Sequence, residues 1–160
     1  MINMNALASD NRKNPSVFYE ALPESMLHEA VWIGTPVETN AVMLFRRLIN
    51  IDKPVIQARA YIAAEGFIEV RIDGKKLSEN VLEPANTDYR KRLLYIKYDI
   101  TRHLYPGSHA ITVGLNRGWA ITGKFIMVMR VWYDDGTMEN IYTQPKDWSA
   151  TISPIISATL

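Results

Sequence analysis

The sequence contains no cysteine, which excludes disulfide staples, thiolate catalysis and cysteine-ligated zinc. It leaves the compartment open, because cysteine-free chains suit both the cytoplasm and export. Only three histidines occur, His28, His103 and His109, and no two of them stand at the spacing of an H-x-x-x-H metal-ligand pair. No G-x-S-x-G elbow is present for a nucleophilic serine. No glycine-rich phosphate cradle is present either. Charge of one sign is not in excess: 18 basic residues meet 17 acidic ones, for a net charge of +1. A nucleic-acid binder draws its affinity from neutralised phosphates and shows a clear surplus of Lys and Arg, so no nucleic-acid partner is expected. No apolar run approaches the ~20 residues that span a bilayer, and no membrane partner is expected. The opening "MINMNALASDNRKNP" lacks the apolar stretch of a signal peptide.

What is present is a globular composition, 48% hydrophobic and 22% charged over 160 residues, enough chain for one domain with a buried core. Residues 1–30 read as a partly ordered polar arm, with a helical turn around Glu24 to His28 behind Pro23. From residue 31 to residue 160 the pattern is strands. In "QARAYIA", Ile56, Ala58, Ala60 and Ile62 share one face, with Gln57, Arg59 and Tyr61 on the other. In "FIEVRID", Ile68, Val70 and Ile72 oppose Glu69, Arg71 and Asp73. Alternation of period two marks a half-buried strand. Further strands are "MLFRRLINI" (43–51), "LLYIKYDI" (93–100), "HAITVGLN" (109–116), "KFIMVMRVWY" (124–133), "MENIYTQ" (138–144) and "WSATIS" (148–153). With only two charges in ten residues, "KFIMVMRVWY" predicts a central strand buried on both faces, its methionines filling the core. Turn chemistry separates several of these runs, at "DGK" (73–75), "YPGS" (105–108) and "DDGT" (134–137). About eight short strands punctuated this way predict an all-β, jelly-roll-like sandwich of two sheets.

The stretch "TDYRKRLLYIKYDIT" (87–101) interleaves four cations with three tyrosines, as a groove for single-stranded nucleic acid would. Its second half nonetheless alternates. Leu94, Ile96, Tyr98 and Ile100 share one face, and Leu93, Tyr95, Lys97 and Asp99 the other. Burial of period two explains the pattern, and Thr101 stands ready to cap the following turn. Carboxylates offer no constellation: Asp134 and Asp135 belong to a turn, and Glu69 suits a cross-strand ion pair. The residues alone therefore predict a β domain of binding type, with no catalytic residue.

Six ordered segments carry a resemblance. They are "VWIGTP" (31–36), "FRR" (45–47), "ARAYIAAEGFIEVRIDGKKLSENVLEPANTDYRKRLLYIKYDIT" (58–101), "YPGSHAITVGLNRGW" (105–119), "WYDDGT" (132–137) and "DW" (147–148). In this order and spacing, from about residue 31 to about residue 155, the chain resembles the N-terminal β-sandwich domain of bacterial α-L-rhamnosidases. The layout is also similar to the sugar-binding sandwich of β-galactosidase-type enzymes, from which the "TDYRKR" run distinguishes it.

The resemblance implies a galactose-binding-domain-like jelly roll that precedes a helical barrel, on which acidic residues remove terminal α-L-rhamnose with inversion. No position in this chain corresponds to those acids. The chain is then expected to be a non-catalytic module of a glycoside hydrolase acting in carbohydrate metabolism. It would pack on a C-terminal catalytic domain and aid recognition of a rhamnose-containing glycan. The alternative is a carbohydrate-binding module or lectin that stands alone. The source implied is bacterial, with the compartment, cytoplasmic or exported, left open. Sugar recognition needs an aromatic platform beside polar groups that read hydroxyls. The residues in this role are Asn86, Asp88, Tyr89 and Arg90 in the loop before a strand, with Asn116 and Trp119 in "NRGW". Asn86 stands where the family shows Trp, and Trp119-Ala120 where it often shows Trp-Tyr. No cofactor or metal is expected; some family members use calcium, which takes six to eight oxygens, and this sequence offers only Asp88 and Asn116 as candidates, too few to assemble such a site.

Overall fold

The computed structural model describes residues 24–34, 41–121 and 123–154. The expected helical turn is α1 (Glu24–Leu27); Pro23 and the residues before it lie outside the described residues. The strands are β1 (Ile33–Gly34), β2 (Met43–Ile51), β3 (Val55–Glu65), β4 (Phe67–Ile72), β5 (Lys75–Lys76), β6 (Tyr95–Asp99), β7 (Gly107–Asn116), β8 (Lys124–Tyr133), β9 (Met138–Tyr142) and β10 (Ser149–Ile152). The eight strands read from the sequence are all there. The additions are β1 and β5, pairs of residues too short to show a period.

Two antiparallel sheets face each other in a jelly-roll-like sandwich. One runs β8–β3–β6, with β1 and β9 lying one after the other along the outer edge of β8, at Lys124–Phe125 and Val128–Trp132. The other runs β10–β2–β7–β4–β5. Alternation supplies the core. Ala58, Ala60, Ile62 and Ala64 of β3 join Phe125, Met127, Met129 and Val131 of β8 from one sheet. Phe45 and Ile49 of β2, Ile68, Val70 and Ile72 of β4, and Ile111, Val113 and Leu115 of β7 meet them from the other. Arg47 lies between Phe45 and Ile49 on this inward face. Its guanidinium crosses to the opposite sheet, where Nη1 donates to the Tyr142 carbonyl at 2.6 Å and Nη2 lies 3.2 Å from Asp147.

The alternation breaks at two places. The pairing of β3 with β8 shifts register between Val55 and Gln57. This bulge turns Ile56, expected in the core, to solvent at 62% exposure. An extra residue in one strand displaces its side chain from the period-two face. The second departure is the other face of β3, expected to be polar and outward. Arg59, Tyr61 and Ala63 are buried there. Ala63 joins Ile126 and Val128 in a second apolar cluster, against which Leu27, Ala30 and Trp32 pack. The central strand β8 is accordingly buried on both faces, as its near-charge-free sequence predicts.

The turns follow their residue types. Asp73 and Gly74 both take positive φ, 49° and 78°, closing the two-residue hairpin between β4 and β5 as an Asp-Gly pair permits. Asp135 accepts the backbone N–H of Thr137 at 2.9 Å. Glu69 pairs with Arg71 on its own strand and with Lys76 on the neighbouring one. Thr101 departs from its expected role as a cap. Its hydroxyl receives the Ala58 N–H at 2.9 Å, fastening the 3-10 turn Thr101–His103 to β3.

His109 is fully buried. Its Nδ1 lies 2.7 Å from Asp73 Oδ2 and its Nε2 2.7 Å from the Tyr105 carbonyl. Asp73 Oδ1 also accepts the Ala110 N–H at 2.8 Å. Burial works against the Asp73 charge, but the Ala110 N–H and the His109 ring outweigh it and hold the carboxyl below its usual range. A carboxyl lowered by folding stabilises the native state above its unfolded pKa of about 3.9. That contribution is lost as pH falls from there through the folded value. Asp73→Asn keeps the acceptor for Ala110 and removes the charge. Urea denaturation between pH 7 and pH 2.5 is expected to show a shallower acid loss of stability in this variant than in the native chain. Parallel curves would contradict the assignment.

A candidate carbohydrate-recognition end

Three connections converge at one end of the sandwich: the β3–β4 turn, the loop from β7 to β8, and the loop around Tyr89. The turn is a single glycine. Gly66 has φ +115°, and a Cβ there would lie 2.4 Å from the Asn116 carbonyl oxygen and 3.0 Å from Arg117 Cα. Only glycine takes this conformation and admits this approach. The Gly66 N–H donates to the Tyr89 hydroxyl at 3.1 Å, so the same residue ties the third connection to the other two.

The loop carrying Tyr89 is fastened through Glu83. The Glu83 carboxylate accepts from Ser78 Oγ at 3.0 Å, Asn80 Nδ2 at 2.7 Å and the Tyr98 hydroxyl at 2.5 Å. Its carbonyl accepts the Ile68 N–H at 2.6 Å. Burial, with the Glu83 carboxylate second, raises the Tyr98 hydroxyl well above its ordinary pKa, so the donor keeps its proton. Further along, Asp88 chelates Arg90: Nε donates to Oδ1 at 3.0 Å and Nη2 to Oδ2 at 3.1 Å. The Arg90 guanidinium holds the Asp88 carboxyl below its usual range. The Asp88 carbonyl accepts the N–H groups of Lys91 and Arg92. Asn86 is exposed on the same loop.

On the loop after β7, Asn116 Oδ1 accepts the Gly118 N–H at 2.8 Å. Gly118 has φ +53°, and a Cβ there would meet the Phe67 ring at 2.7 Å. The tight turn sets Trp119 edge-on against Phe67, with ring centroids 5.8 Å apart and planes at 72°. Trp119 is 73% exposed and Ile121 77% exposed. Arg117 Nη1 donates to the Ile121 carbonyl at 3.2 Å. At the start of β8, Lys124 pairs with Glu65 at 3.1 Å and sits 5.1 Å from the Trp32 ring centre.

The structure therefore brings Tyr89, Asn116 and Trp119 to one end, with the Asp88–Arg90 pair flanking Tyr89 in sequence. The sequence alone does not single out Gly66 and Gly118, which fix the two turns, Phe67, against which the indole sits, or Ile121, exposed on the same loop. A glycine between two alternating strands was the available signal for the first of them. For calcium, the two candidate ligands are otherwise engaged: Asp88 by Arg90, and Asn116 by the Gly118 N–H. Among the described residues no group of three or more histidines or carboxylates gathers to hold a metal ion.

A family model described as the alpha-L-rhamnosidase N-terminal domain matches residues 53–160. An alpha-L-rhamnosidase of Streptomyces avermitilis is 35% identical over 138 residues, 78% of this chain. The chain spans 13% and 14% of the lengths of the first two curated relatives it matches. The solved alpha-L-rhamnosidase of Aspergillus terreus superposes with a TM-score of 0.78 at 27% identity, over 86% of this chain and 18% of that one. A lectin of Pleurotus ostreatus, solved in complex with GalNAc, shares the fold at a TM-score of 0.60 and 18% identity, over 87% of this chain and 40% of that one. Family model, relatives and fold agree with the six ordered motifs, and the chain belongs to the α-L-rhamnosidase N-terminal domain family.

Proposed function

We propose that the chain is a non-catalytic N-terminal module of an α-L-rhamnosidase. The longer polypeptide hydrolyses terminal α-L-rhamnose on a separate domain, against which this sandwich packs. The observation that carries the reading is the family match over residues 53–160 in a chain that spans only 13% of its Streptomyces relative.

We propose further that the end bearing Tyr89, Asn116 and Trp119 contacts the glycan. The support is the exposed indole seated on Phe67, a flat apolar surface beside side-chain hydroxyl and amide groups. This feature also favours the second reading, a carbohydrate-binding module able to act alone. Titration of the 160-residue chain with methyl α-L-rhamnoside, with and without calcium and followed by amide NMR, tests it. Shifts confined to residues 86–90 and 116–121 are expected, with Trp119→Ala weakening binding roughly 10-fold, about 1.4 kcal/mol. The same variant is expected to keep its folding stability within about 0.5 kcal/mol, as exposed positions do. No shift at high millimolar sugar would remove sugar binding by the isolated chain.

A further inference from the structure

A sheet edge presents unpaired backbone donors and acceptors, and folded proteins guard such edges with charge, proline, bulges or brevity. Three edges of this sandwich are guarded in that way. The β6 edge carries Lys97 and Asp99; β5 is two residues long and is Lys75–Lys76; along β8, β1 is two residues long and β9 carries Glu139. The fourth edge, β10, reads Ser-Ala-Thr-Ile. It has no charge and no proline, and it pairs with β2 without a register shift. All four of its residues are exposed, Ile152 at 61%.

The register says which groups are open. The Ser153 N–H donates to the Val42 carbonyl at 2.8 Å. Hydrogen bonds in an antiparallel ladder alternate residue by residue. Thr151 and Ser149 therefore point their backbone groups toward β2, and Ala150 and Ile152 point theirs to the other edge, which no strand pairs among the described residues. Ala150 and Ile152 pair with Phe45 and Met43, so their side chains share the core-facing side of the sheet.

We propose that the edge of β10 is completed by an extended strand from elsewhere in the longer polypeptide, hydrogen-bonded to Ala150 and Ile152. Its apolar side chains lie beside these two and extend the core. The proposal rests on the reading of this chain as one module of a longer enzyme. The length of chain outside it, some 86% in the first curated relatives, supplies the strand, and β-strand addition to an open edge is an established mode of recognition.

Hydrogen exchange at Ala150 and Ile152 tests it, measured in the 160-residue chain and in the longer polypeptide. Exchange at loop-like rates is expected in the chain alone at every concentration, slowed at least 100-fold in the longer polypeptide. Ala150→Pro removes only an outward N–H, as an edge position tolerates. It is expected to leave the melting temperature of the isolated chain unchanged and to abolish the protection of Ile152 in the longer polypeptide. Equally fast exchange in both proteins would overturn this proposal and leave the rhamnosidase reading standing. Protection in the isolated chain that grows with concentration would assign the edge to a second copy and overturn it too. A reading frame with no further domain would overturn both.

Discussion

Gly66→Ala is expected to destabilise the chain by about 2–6 kcal/mol and to disperse the candidate recognition end. Two costs add. An alanine held at φ +115° carries backbone strain of about 1–3 kcal/mol. Its Cβ also meets the Asn116 carbonyl oxygen at 2.4 Å, an overlap with backbone that no rotamer change relieves, worth about 1–3 kcal/mol more. The strand pairing on either side resists relaxation: Glu65 is in register with Lys124 and Phe67 with Asn116. Because the Gly66 N–H also holds the Tyr89 hydroxyl, a shifted turn separates Tyr89 from Asn116 and Trp119. Urea denaturation reads the first effect, and the amide shifts of residues 86–92 and 116–121 in the remaining folded fraction read the second. A variant as stable as the native chain would show that the turn is not the fixed point described.

The second large effect is expected at Phe125. It is fully buried and touches two other rings edge-on, Phe45 at 5.2 Å and Trp148 at 5.3 Å between centroids. Phe125 belongs to one sheet, Phe45 to the other, and Trp148 precedes β10, so this cluster joins three parts of the sandwich. Phe125→Ala is expected to cost about 3–5 kcal/mol, a fall in Tm of roughly 6–20 °C for a domain of this size. Ile56→Ala is the matched control. Ile56 has the apolar character of a core residue, but the bulge exposes it, and a change within about 0.5 kcal/mol is expected. Calorimetry on the pair separates the two environments. Equal losses at both positions would contradict the register of β3 and β8.

Those two residues also show what could be read from the sequence. The bounds of β2 and β8 follow from composition, because a strand packed on at least one face cannot change character without leaving the sheet. Period two places Ile68, Val70 and Ile72 in the core, and the Asp-Gly pair fixes the hairpin after them. Ile56 misleads because a bulge is a property of the pairing of two strands, and β3 alone carries no mark of it. Arg59 and Tyr61 mislead for a related reason. Their burial depends on what packs over the outer face of the sheet, and nothing in the alternation of β3 says that this face is covered. The candidate recognition end lies between these cases. Trp119 and Asn116 are visible as a Gly-containing aromatic turn. Their meeting with Tyr89 depends on a contact 23 residues apart in sequence, from the Gly66 N–H to a hydroxyl, which no local pattern encodes.

The function proposed for the chain divides labour: this sandwich supports and recognises, and hydrolysis happens elsewhere in a longer polypeptide. Release of p-nitrophenol from p-nitrophenyl α-L-rhamnoside, measured side by side for the purified 160-residue chain and for the full polypeptide of the same reading frame, tests that division most directly. Turnover by the full polypeptide and none by the chain is expected. Turnover by the chain alone, or a full polypeptide inert toward the rhamnoside, would contradict it.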